Sequence, residues 1–98
     1  MIFGIGTDMV EISRIQKAIE KNPRFLQKVY TEKEIAYCQR KRNPWQSFAA
    51  RFAAKEAVFK ALSKELNGRY DITWKNIEVL NDKNGRPYIN LIDVNKKI

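Results

Sequence analysis

The stretch that decides the fold is Phe52-Ala53-Ala54-Lys55-Glu56-Ala57-Val58-Phe59-Lys60. It lies within an alanine-rich segment that predicts one long helix, with Asn43 as the N-cap, Pro44 at the first helical position and an end near Ser63. At about 100° per residue, the large apolar side chains of this helix share one arc, where we expect the helix to be buried. That arc contains Trp45, Phe48, Phe52, Phe59 and Leu62.

Four charged residues fall on or beside this arc: Arg51, Lys55, Glu56 and Lys60. Lys55 lies inside the arc, Glu56 lies at its edge, and Lys60 follows Glu56 by four residues on the same side. Spacing alone favours a structural interpretation. In it, Lys55 extends its charged end past the aromatic rings to solvent, and Glu56 forms a surface pair with Lys60 worth about 0.3–0.5 kcal/mol. The alternative is a functional site.

The N-terminal part of the chain predicts a strand and then a helix. Residues 2–10 are mostly apolar, β-branched or glycine, which indicates a buried strand followed by a loop. Ser13 and Gln16 fit a capping box and predict a helix over residues 13–21, with Pro23 beyond its end.

A second helix and a hairpin are predicted further along. Thr31 and Glu34 repeat the capping box and indicate a helix that runs towards Arg40. Asp82-Lys83-Asn84-Gly85 is a strong turn signal between two alternating segments, which predicts a β-hairpin. The residues of its two strands are Ile77 and Val79 before the turn, and Tyr88, Ile89 and Leu91 after it. Residues 93–98 could begin one more element.

Composition sets the size of the fold and the sign of its field. The chain has 98 residues, 44% of them hydrophobic, which is enough for one core and predicts a single domain over residues 1–98. With the elements above, this indicates an α+β fold, a small antiparallel sheet packed against the long central helix. The net charge of +8 favours an anionic partner: nucleic acid, an anionic membrane, a phosphorylated small molecule or an acidic protein.

The residue inventory restricts the chemistry. Cys38 is the only cysteine and histidine is absent. An intrachain disulfide is therefore excluded, and any metal site must use oxygen ligands, which suit magnesium, calcium or manganese. The N-terminus lacks the basic start and long apolar run of a signal peptide, and no stretch could span a bilayer. We therefore expect a cytoplasmic protein with no membrane partner.

Outside the long helix, one acid and two basic groups are candidates for function. Asp8 follows the apolar strand, a common position for a metal or phosphate site, although a turn or cap acid is the better interpretation of this residue alone. The basic groups are equally consistent with a solvated face and with a surface for an acidic partner. Their members are Arg14, Lys17, Lys21 and Arg24, and then Arg40, Lys41 and Arg42. Phe25 beside Arg24 favours docking.

Two ordered motifs carry a resemblance to a known family. Gly4-Ile5-Gly6-Thr7-Asp8, followed by Glu11 and Arg14, is the first, and Arg51-Phe52-Ala53-Ala54-Lys55-Glu56-Ala57 with Lys60-Ala61 is the second. Together they resemble the two N-terminal signature motifs of the holo-acyl-carrier-protein synthases, which are phosphopantetheinyl transferases. Looser similarity extends through Thr31 to Glu34 and Asn84-Gly85-Arg86-Pro87-Tyr88, so that it covers nearly all of the chain.

The resemblance implies a reaction and its partners. The 4′-phosphopantetheine group would pass from coenzyme A to a serine of apo acyl carrier protein, with Mg²⁺ and release of adenosine 3′,5′-bisphosphate, in fatty acid biosynthesis. A positive field would steer both anionic substrates to the protein. The family resemblance also suggests a homotrimer with active sites at subunit interfaces, and no nucleic-acid partner.

The resemblance also implies roles for individual residues. Asp8 and Glu56 would hold magnesium, and Glu56 and Lys60 would be catalytic, with the base for the serine proton either Glu56 or a metal-bound water. Contacts to coenzyme A would come from Arg51, Lys55, Lys60, Gly85, Arg86 and Pro87. Contacts to the acidic carrier would come from Arg14, Lys21, Arg24, Phe25 and Phe52.

Two departures from the family pattern leave alternatives open. The glycine-rich stretch that usually follows the lysine matching Lys60 is replaced here by Ala61-Leu62-Ser63-Lys64-Glu65-Leu66-Asn67-Gly68. Relatives also usually continue through a strand with a serine- and histidine-containing motif, whereas this sequence stops at Ile98. The main alternative is therefore a shortened relative that only binds carrier protein or coenzyme A. A basic nucleic-acid-binding domain is a remote alternative, since it rests only on charge and on aromatic residues that could be exposed.

Overall fold

A 23-residue helix lies at the centre of the structure. The structure is a computed structural model, and it describes residues 9–66, 70–92 and 95–96. In chain order the elements are α1 (Met9–Lys21), α2 (Pro23–Val29), α3 (Glu32–Gln39), α4 (Pro44–Leu66), β1 (Tyr70–Asp71), a 3₁₀ helix (Trp74–Asn76), β2 (Ile77–Asn81), β3 (Pro87–Leu91) and β4 (Asn95–Lys96). The helices α1 and α3 and the strand β2 all pack on α4. The predicted α+β class, with a long central helix, is confirmed.

Side-chain caps set the starts of α3 and α4, as the sequence predicted. The Thr31 hydroxyl accepts a hydrogen bond from the Glu34 amide at 3.3 Å, and the Glu34 carboxylate accepts one from the Thr31 amide at 2.9 Å. Asn43 Oδ1 accepts from the Gln46 amide at 3.2 Å, with Pro44 in the first turn. These bonds satisfy amides that the helix leaves unpaired, and they explain why the starts of both helices could be predicted.

The start of α1 differs from the prediction. The helix begins at Met9, so Met9 and Val10 are helical and not part of the predicted strand and loop, and residues 2–8 of that segment lie outside the described residues. Ser13 lies inside the helix, so the expected capping box with Gln16 does not form. Glu11 in the first turn favours the earlier start, because an acid there opposes the positive end of the helix dipole.

Pro23 opens a helix where we expected it only to follow one. The Asn22 side chain accepts a hydrogen bond from the Arg24 amide at 3.1 Å, and Pro23 occupies the first turn of α2. This is the Asn-Pro signal that also starts α4, and a proline in the first turn costs no hydrogen bond. As a result α1 and α2 are separated by one residue and contact each other.

The predicted hairpin is confirmed. Strands β2 and β3 are antiparallel, with Val79 opposite Ile89 and Ile77 opposite Leu91. Gly85 has φ of 81°, a conformation that favours glycine, and its amide donates to the Asp82 carbonyl at 2.9 Å. A second two-stranded sheet pairs β1 with β4, so residues 93–98 do contain a further element, of which positions 95–96 are described.

The main core lies between α4 and the first three helices. Its buried residues are Ile15, Val29, Tyr30, Cys38, Phe48, Ala49 and Phe52. Tyr30 and Phe48 meet edge to face, with 4.9 Å between ring centroids. Within the described part of the chain, no helix combines the length and apolar character needed to cross a bilayer.

Tyr30 gives this core a pH dependence. Its side chain is fully buried, its hydroxyl donates to the Phe48 carbonyl at 2.8 Å, and burial raises the pKa of the phenol far above its usual value near 10. Above that value the unfolded chain loses the Tyr30 proton and the folded chain keeps it, so folding stability falls by roughly 1.4 kcal/mol per pH unit from this group.

We therefore expect Tyr30→Phe to change the pH profile of stability. At about pH 8 the variant should be less stable by about 1 kcal/mol, the value of a hydrogen bond, and by about pH 11 the difference should vanish. Urea unfolding of both proteins across this range measures it. Cys38 and Lys55 ionise in both proteins, so most of their own effect cancels in the comparison. A difference in the free energy of unfolding that stays constant with pH would show that Tyr30 is not the source of the pH dependence.

Candidate active site

A cavity of about 520 Å³ opens between α3, the first half of α4 and the β2–β3 hairpin. Three cations line it: Lys41, Arg42 and Arg51. Neutral polar groups complete much of the wall: Tyr37, Asn43, Gln46, Ser47 and Asn81. No acidic side chain belongs to this lining, all of which the structure describes. The charge of this lining therefore suits an anionic ligand.

Arg51 is the most deeply buried cation of the cavity, with 7% of the residue exposed. Its Nη2 donates to Asn81 Oδ1 at 2.5 Å, and its Cζ lies 4.1 Å from the centroid of the Tyr37 ring. Its Nε is buried without a hydrogen-bond partner, and neither of the two ion pairs among the described residues includes it. A buried guanidinium with donors to spare and no acid is suited to bind a phosphate.

Lys41 and Arg42 are cavity residues that the sequence did not identify as ligand contacts. Lys41 Nζ lies 4.4 Å from the centroid of the Tyr37 ring. The only signal for both was their position just before the cap of α4, and that signal was equally consistent with a solvated face. Tyr37 carried no signal at all, because its orientation depends on how α3 packs on α4.

The hairpin turn supplies the opposite wall. Gly85 and Pro87 line the cavity, and Asn81 Nδ2 donates to the Gly85 carbonyl at 3.1 Å. A Cβ placed on Gly85 would meet nothing within 4 Å, so the glycine is required for its backbone angle and not for space. Arg86 is exposed and does not belong to the lining. Of the residues expected to contact coenzyme A, the structure thus brings Arg51, Gly85 and Pro87 together.

Lys55 is placed in the core and not at the cavity. It is 0% exposed, and its Nζ lies 2.8 Å from Glu34 Oε1. The same nitrogen donates to the Trp74 carbonyl at 2.9 Å and to the Ile77 carbonyl at 2.5 Å. The interpretation that its charged end reaches solvent is wrong, because these partners satisfy the ammonium inside the protein. An expected contact to coenzyme A does not fit this geometry, since all three donors are in use.

Glu34 joins three elements at this point. Besides Lys55 on α4, its carboxylate accepts the Thr31 amide before α3 and the Val79 amide of β2, the latter at 2.9 Å. Burial lowers the pKa of Lys55, and the bond to Glu34 opposes that shift. The sequence identified Glu34 only as a capping residue. Its pairing with Lys55 fixes how α4 is rotated against α3 and β2.

Glu56 lies on the side of α4 that packs against α1. Its charge contributes to raising the pKa of Arg14, although the main cause is the bond from Arg14 to Glu11, at 2.5 Å. Glu56 is partly exposed and Lys60 is exposed. The expected surface pair between them is absent from the ion pairs of the described residues, so the Glu56 carboxylate has no cation bound to it there.

The other half of the expected metal pair cannot be placed, because Asp8 lies outside the described residues. Within the described ranges, no group of three or more histidine, cysteine or acidic residues could hold a metal ion. Glu56 nevertheless fits one ligand position: it offers hard carboxylate oxygens that are partly exposed and not ion-paired.

Residues expected to contact the carrier gather around α1 and α2. The Arg14 guanidinium lies 5.8 Å from the centroid of the Phe52 ring, and the rings of Phe25 and Phe52 are 6.2 Å apart. Phe52 is only 9% exposed, so it supports this surface from beneath. Lys21 and Arg24 are exposed on either side of the junction between α1 and α2. Helix α2, which the sequence did not predict, brings Phe25 to the Phe52 ring that Arg14 also contacts.

The cavity and Glu56 face different sides of α4. Arg51 and Glu56 are five residues apart, which on a helix means about 140° of rotation and about 7.5 Å of rise. Arg51 lines the cavity beside α3, whereas Glu56 acts on Arg14 of α1. One copy of the chain therefore presents the cavity and Glu56 at two separate places on α4.

Comparisons with known proteins agree on one family. Residues 4–98 match the 4′-phosphopantetheinyl transferase superfamily. A holo-[acyl-carrier-protein] synthase of Geotalea daltonii is 47% identical over 88 residues, which cover 89% of this chain and 69% of the relative. One of Thermodesulfovibrio yellowstonii is 48% identical over 99 residues, covering 100% and 84%. One of Clostridium botulinum strain Alaska E43 is 50% identical over 93 residues, covering 95% and 73%.

Proposed function

This chain belongs to the 4′-phosphopantetheinyl transferase superfamily, and from that premise we propose that it transfers 4′-phosphopantetheine from coenzyme A to a serine of an apo acyl carrier protein. The serine oxygen forms a new bond to the phosphorus that carries the pantetheine arm, and its proton passes to a base, for which Glu56 is a candidate. The P–O bond of the diphosphate breaks, and adenosine 3′,5′-bisphosphate leaves. The observation that carries the proposal is Arg51, a buried guanidinium in a cation-lined cavity that has no acidic partner among the described residues.

We assign the cavity to the adenosine bisphosphate end of coenzyme A. Its three cations and the absence of an acid from its lining match a ligand with several phosphate charges. Its volume of about 520 Å³ is within the range typical of small-molecule sites, roughly 300–1,000 Å³. Gly85 and Pro87 form the wall against which the nucleoside would lie, and Arg51 and Lys41 would contact phosphate.

We assign the reacting diphosphate to the region around Glu56, so that the cavity and this region would be two half-sites for one coenzyme A. Glu56 together with Asp8 would hold Mg²⁺, and Lys60, one turn further along α4, would contact the phosphoryl oxygens. When bound, the ion supplies positive charge that lowers the barrier to attack on an anionic phosphorus. The chain's own contribution is to hold Glu56, which forms no ion pair among the described residues, on a helix whose rotation is fixed by the buried pair of Glu34 and Lys55.

The carrier would dock on α1 and α2. Arg14, Lys21 and Arg24 are exposed cations, of which Arg14 is paired with Glu11, and the half-buried Phe25 next to Arg24 offers an apolar contact. An acidic carrier helix would match this surface in sign, and the net charge of +8 would speed its encounter with the protein. Because Glu56 lies beside Arg14, a carrier bound there would present its serine near the diphosphate.

The two half-sites also bear on assembly. Since Arg51 and Glu56 lie on different sides of α4, one coenzyme A would be bound between two copies, with the cavity from one and Glu56 from the other. A cyclic assembly of such contacts is closed and repeats the same shared site. We propose a homotrimer on the family's pattern, acting in the cytoplasm in fatty acid biosynthesis.

Incubation with coenzyme A, Mg²⁺ and apo acyl carrier protein should add one phosphopantetheine group to the carrier, as read by mass spectrometry. Chelation of Mg²⁺ should stop this gain in carrier mass.

Arg51→Gln should raise the KM for coenzyme A by roughly 10- to 100-fold, because a charged hydrogen-bond donor to phosphate is lost. Lys75→Gln, which removes an exposed cation away from the cavity, is the matched control. No modified carrier, with one of the curated relatives active in parallel, would refute the function.

A further inference from the structure

One aromatic ring lies against two of the cavity's cations. Lys41 Nζ is 4.4 Å and Arg51 Cζ is 4.1 Å from the centroid of the Tyr37 ring. Tyr37 is half-buried and itself lines the cavity. Two like charges that share one ring repel each other, so the protein must stabilise this arrangement before any anion arrives.

Among the described residues, the electron-rich ring of Tyr37 is a stabilising partner that both cations share. Neither cation takes part in an ion pair there, and the cavity lining contains no acid. Arg51 has one neutral hydrogen-bond acceptor, Asn81 Oδ1. The ring face attracts both cations through its quadrupole without neutralising them. An acid at position 37 would attract them too, but it would compete with the ligand's phosphates for the same donors.

We propose that Tyr37 is a positioning residue, whose ring holds Lys41 and Arg51 in place for the phosphate groups of the adenosine bisphosphate end of the ligand. This rests on the proposed function, because it takes the cavity as the nucleotide half-site. Ordering two long cationic side chains in advance lowers the entropy lost on binding. The ring therefore strengthens binding of the nucleotide end and leaves the chemical step unchanged.

The hydroxyl of Tyr37 has no part in this role. It makes no hydrogen bond to the described residues, whereas the ring contacts depend only on the aromatic face. Tyr37→Phe keeps that face and Tyr37→Leu removes it with a similar apolar character. The pair of variants thus separates the ring's interaction with the cations from simple filling of space.

The test is calorimetric titration of the full chain with adenosine 3′,5′-bisphosphate. Tyr37→Leu should weaken binding by about 5- to 20-fold, and Tyr37→Phe should remain within about twofold of the original protein. In carrier assays Tyr37→Leu should raise the KM for coenzyme A by a similar factor with kcat unchanged. Equal affinities for the Leu and Phe variants would overturn the proposal, as would a fall in kcat alone. If Tyr37→Leu fails to fold by circular dichroism, Tyr37→Met takes its place with the same expected loss.

A double-mutant cycle with Arg51→Gln shows whether the ring acts through the cation. The combined loss of affinity should be smaller than the product of the two single losses, because the ring has one less charge to position. Independent losses would contradict the positioning role. The two proposals fail in different ways. Normal affinity of Arg51→Gln for adenosine 3′,5′-bisphosphate rejects the cavity as the nucleotide site. Weakened affinity of Arg51→Gln together with normal affinity of Tyr37→Leu rejects only the role of Tyr37.

Discussion

Glu56→Gln should lower the rate of carrier modification by at least about 100-fold, with the fold unchanged. Glutamine keeps the shape of the side chain but loses the negative charge that would hold the metal ion and the basic oxygen that could accept the serine proton. The stability of the fold should hardly change, because Glu56 is partly exposed and forms no ion pair among the described residues. Mass-spectrometric time courses give the rate, and thermal unfolding reports the fold.

Glu32→Gln is the matched control, an identical change at an exposed glutamate on α3. It should leave the rate within about twofold of the original. Full turnover by Glu56→Gln would remove Glu56 from the metal-binding role.

The same variant also tests the shared site. The Glu56→Gln protein and the Arg51→Gln protein are mixed, unfolded and refolded together. The mixture should recover activity at a coenzyme A concentration at which each protein alone is inactive. Some mixed interfaces then combine an intact cavity from one copy with an intact Glu56 from another. Recovery that is no greater than the sum of the separate proteins would show that each copy works alone.

Breaking the buried pair of Glu34 and Lys55 should be the most damaging change to stability. Lys55→Met should lower the free energy of unfolding by about 3–5 kcal/mol, because Glu34 would remain buried without its cation. Glu34→Ala should cost at least as much, since it also leaves the Thr31 and Val79 amides without their acceptor. Losses of this size approach the whole stability of many small domains.

Urea unfolding measures these free energies. It should be applied to the single variants and to the double variant that combines Glu34→Gln with Lys55→Met. The double variant should be more stable than Lys55→Met, because no unpaired charge stays buried and glutamine can still accept one of the amide bonds. Arg14→Gln, which breaks an exposed ion pair, should cost less than about 1 kcal/mol. Similar losses for Arg14→Gln and Lys55→Met would mean that burial adds nothing to this pair.

Local signals predicted the helices that carry their own start signals. Thr31 with Glu34 and Asn43 with Pro44 begin α3 and α4 as expected, since a capping bond joins residues three positions apart. Pro23 shows the limit of such signals, because a proline can follow one helix and begin the next at the same place. At α1 the weak Ser13 signal was overridden by the packing of the whole helix against α4.

The candidate site was only partly predictable for a different reason. Periodicity placed Lys55 in the buried arc but could not name its partner, because Glu34 lies 21 positions earlier on another helix. Likewise, nothing in the sequence linked Tyr37 to Arg51, whose contact depends on how two helices pack. The family resemblance identified Arg51, Gly85 and Pro87 from the order of the motifs. In the structure they line the same cavity as Lys41 and Arg42, which belong to neither motif.

The buried pair has a consequence for how this protein could change in laboratory evolution. Glu34 and Lys55 set the orientation of α4 from behind, independently of whatever occupies the cavity. Gln46 and Ala50 line that cavity and take no part in the pair. Libraries at these two positions could therefore select for acceptance of altered donor molecules while the angle at which Glu56 is presented stays the same.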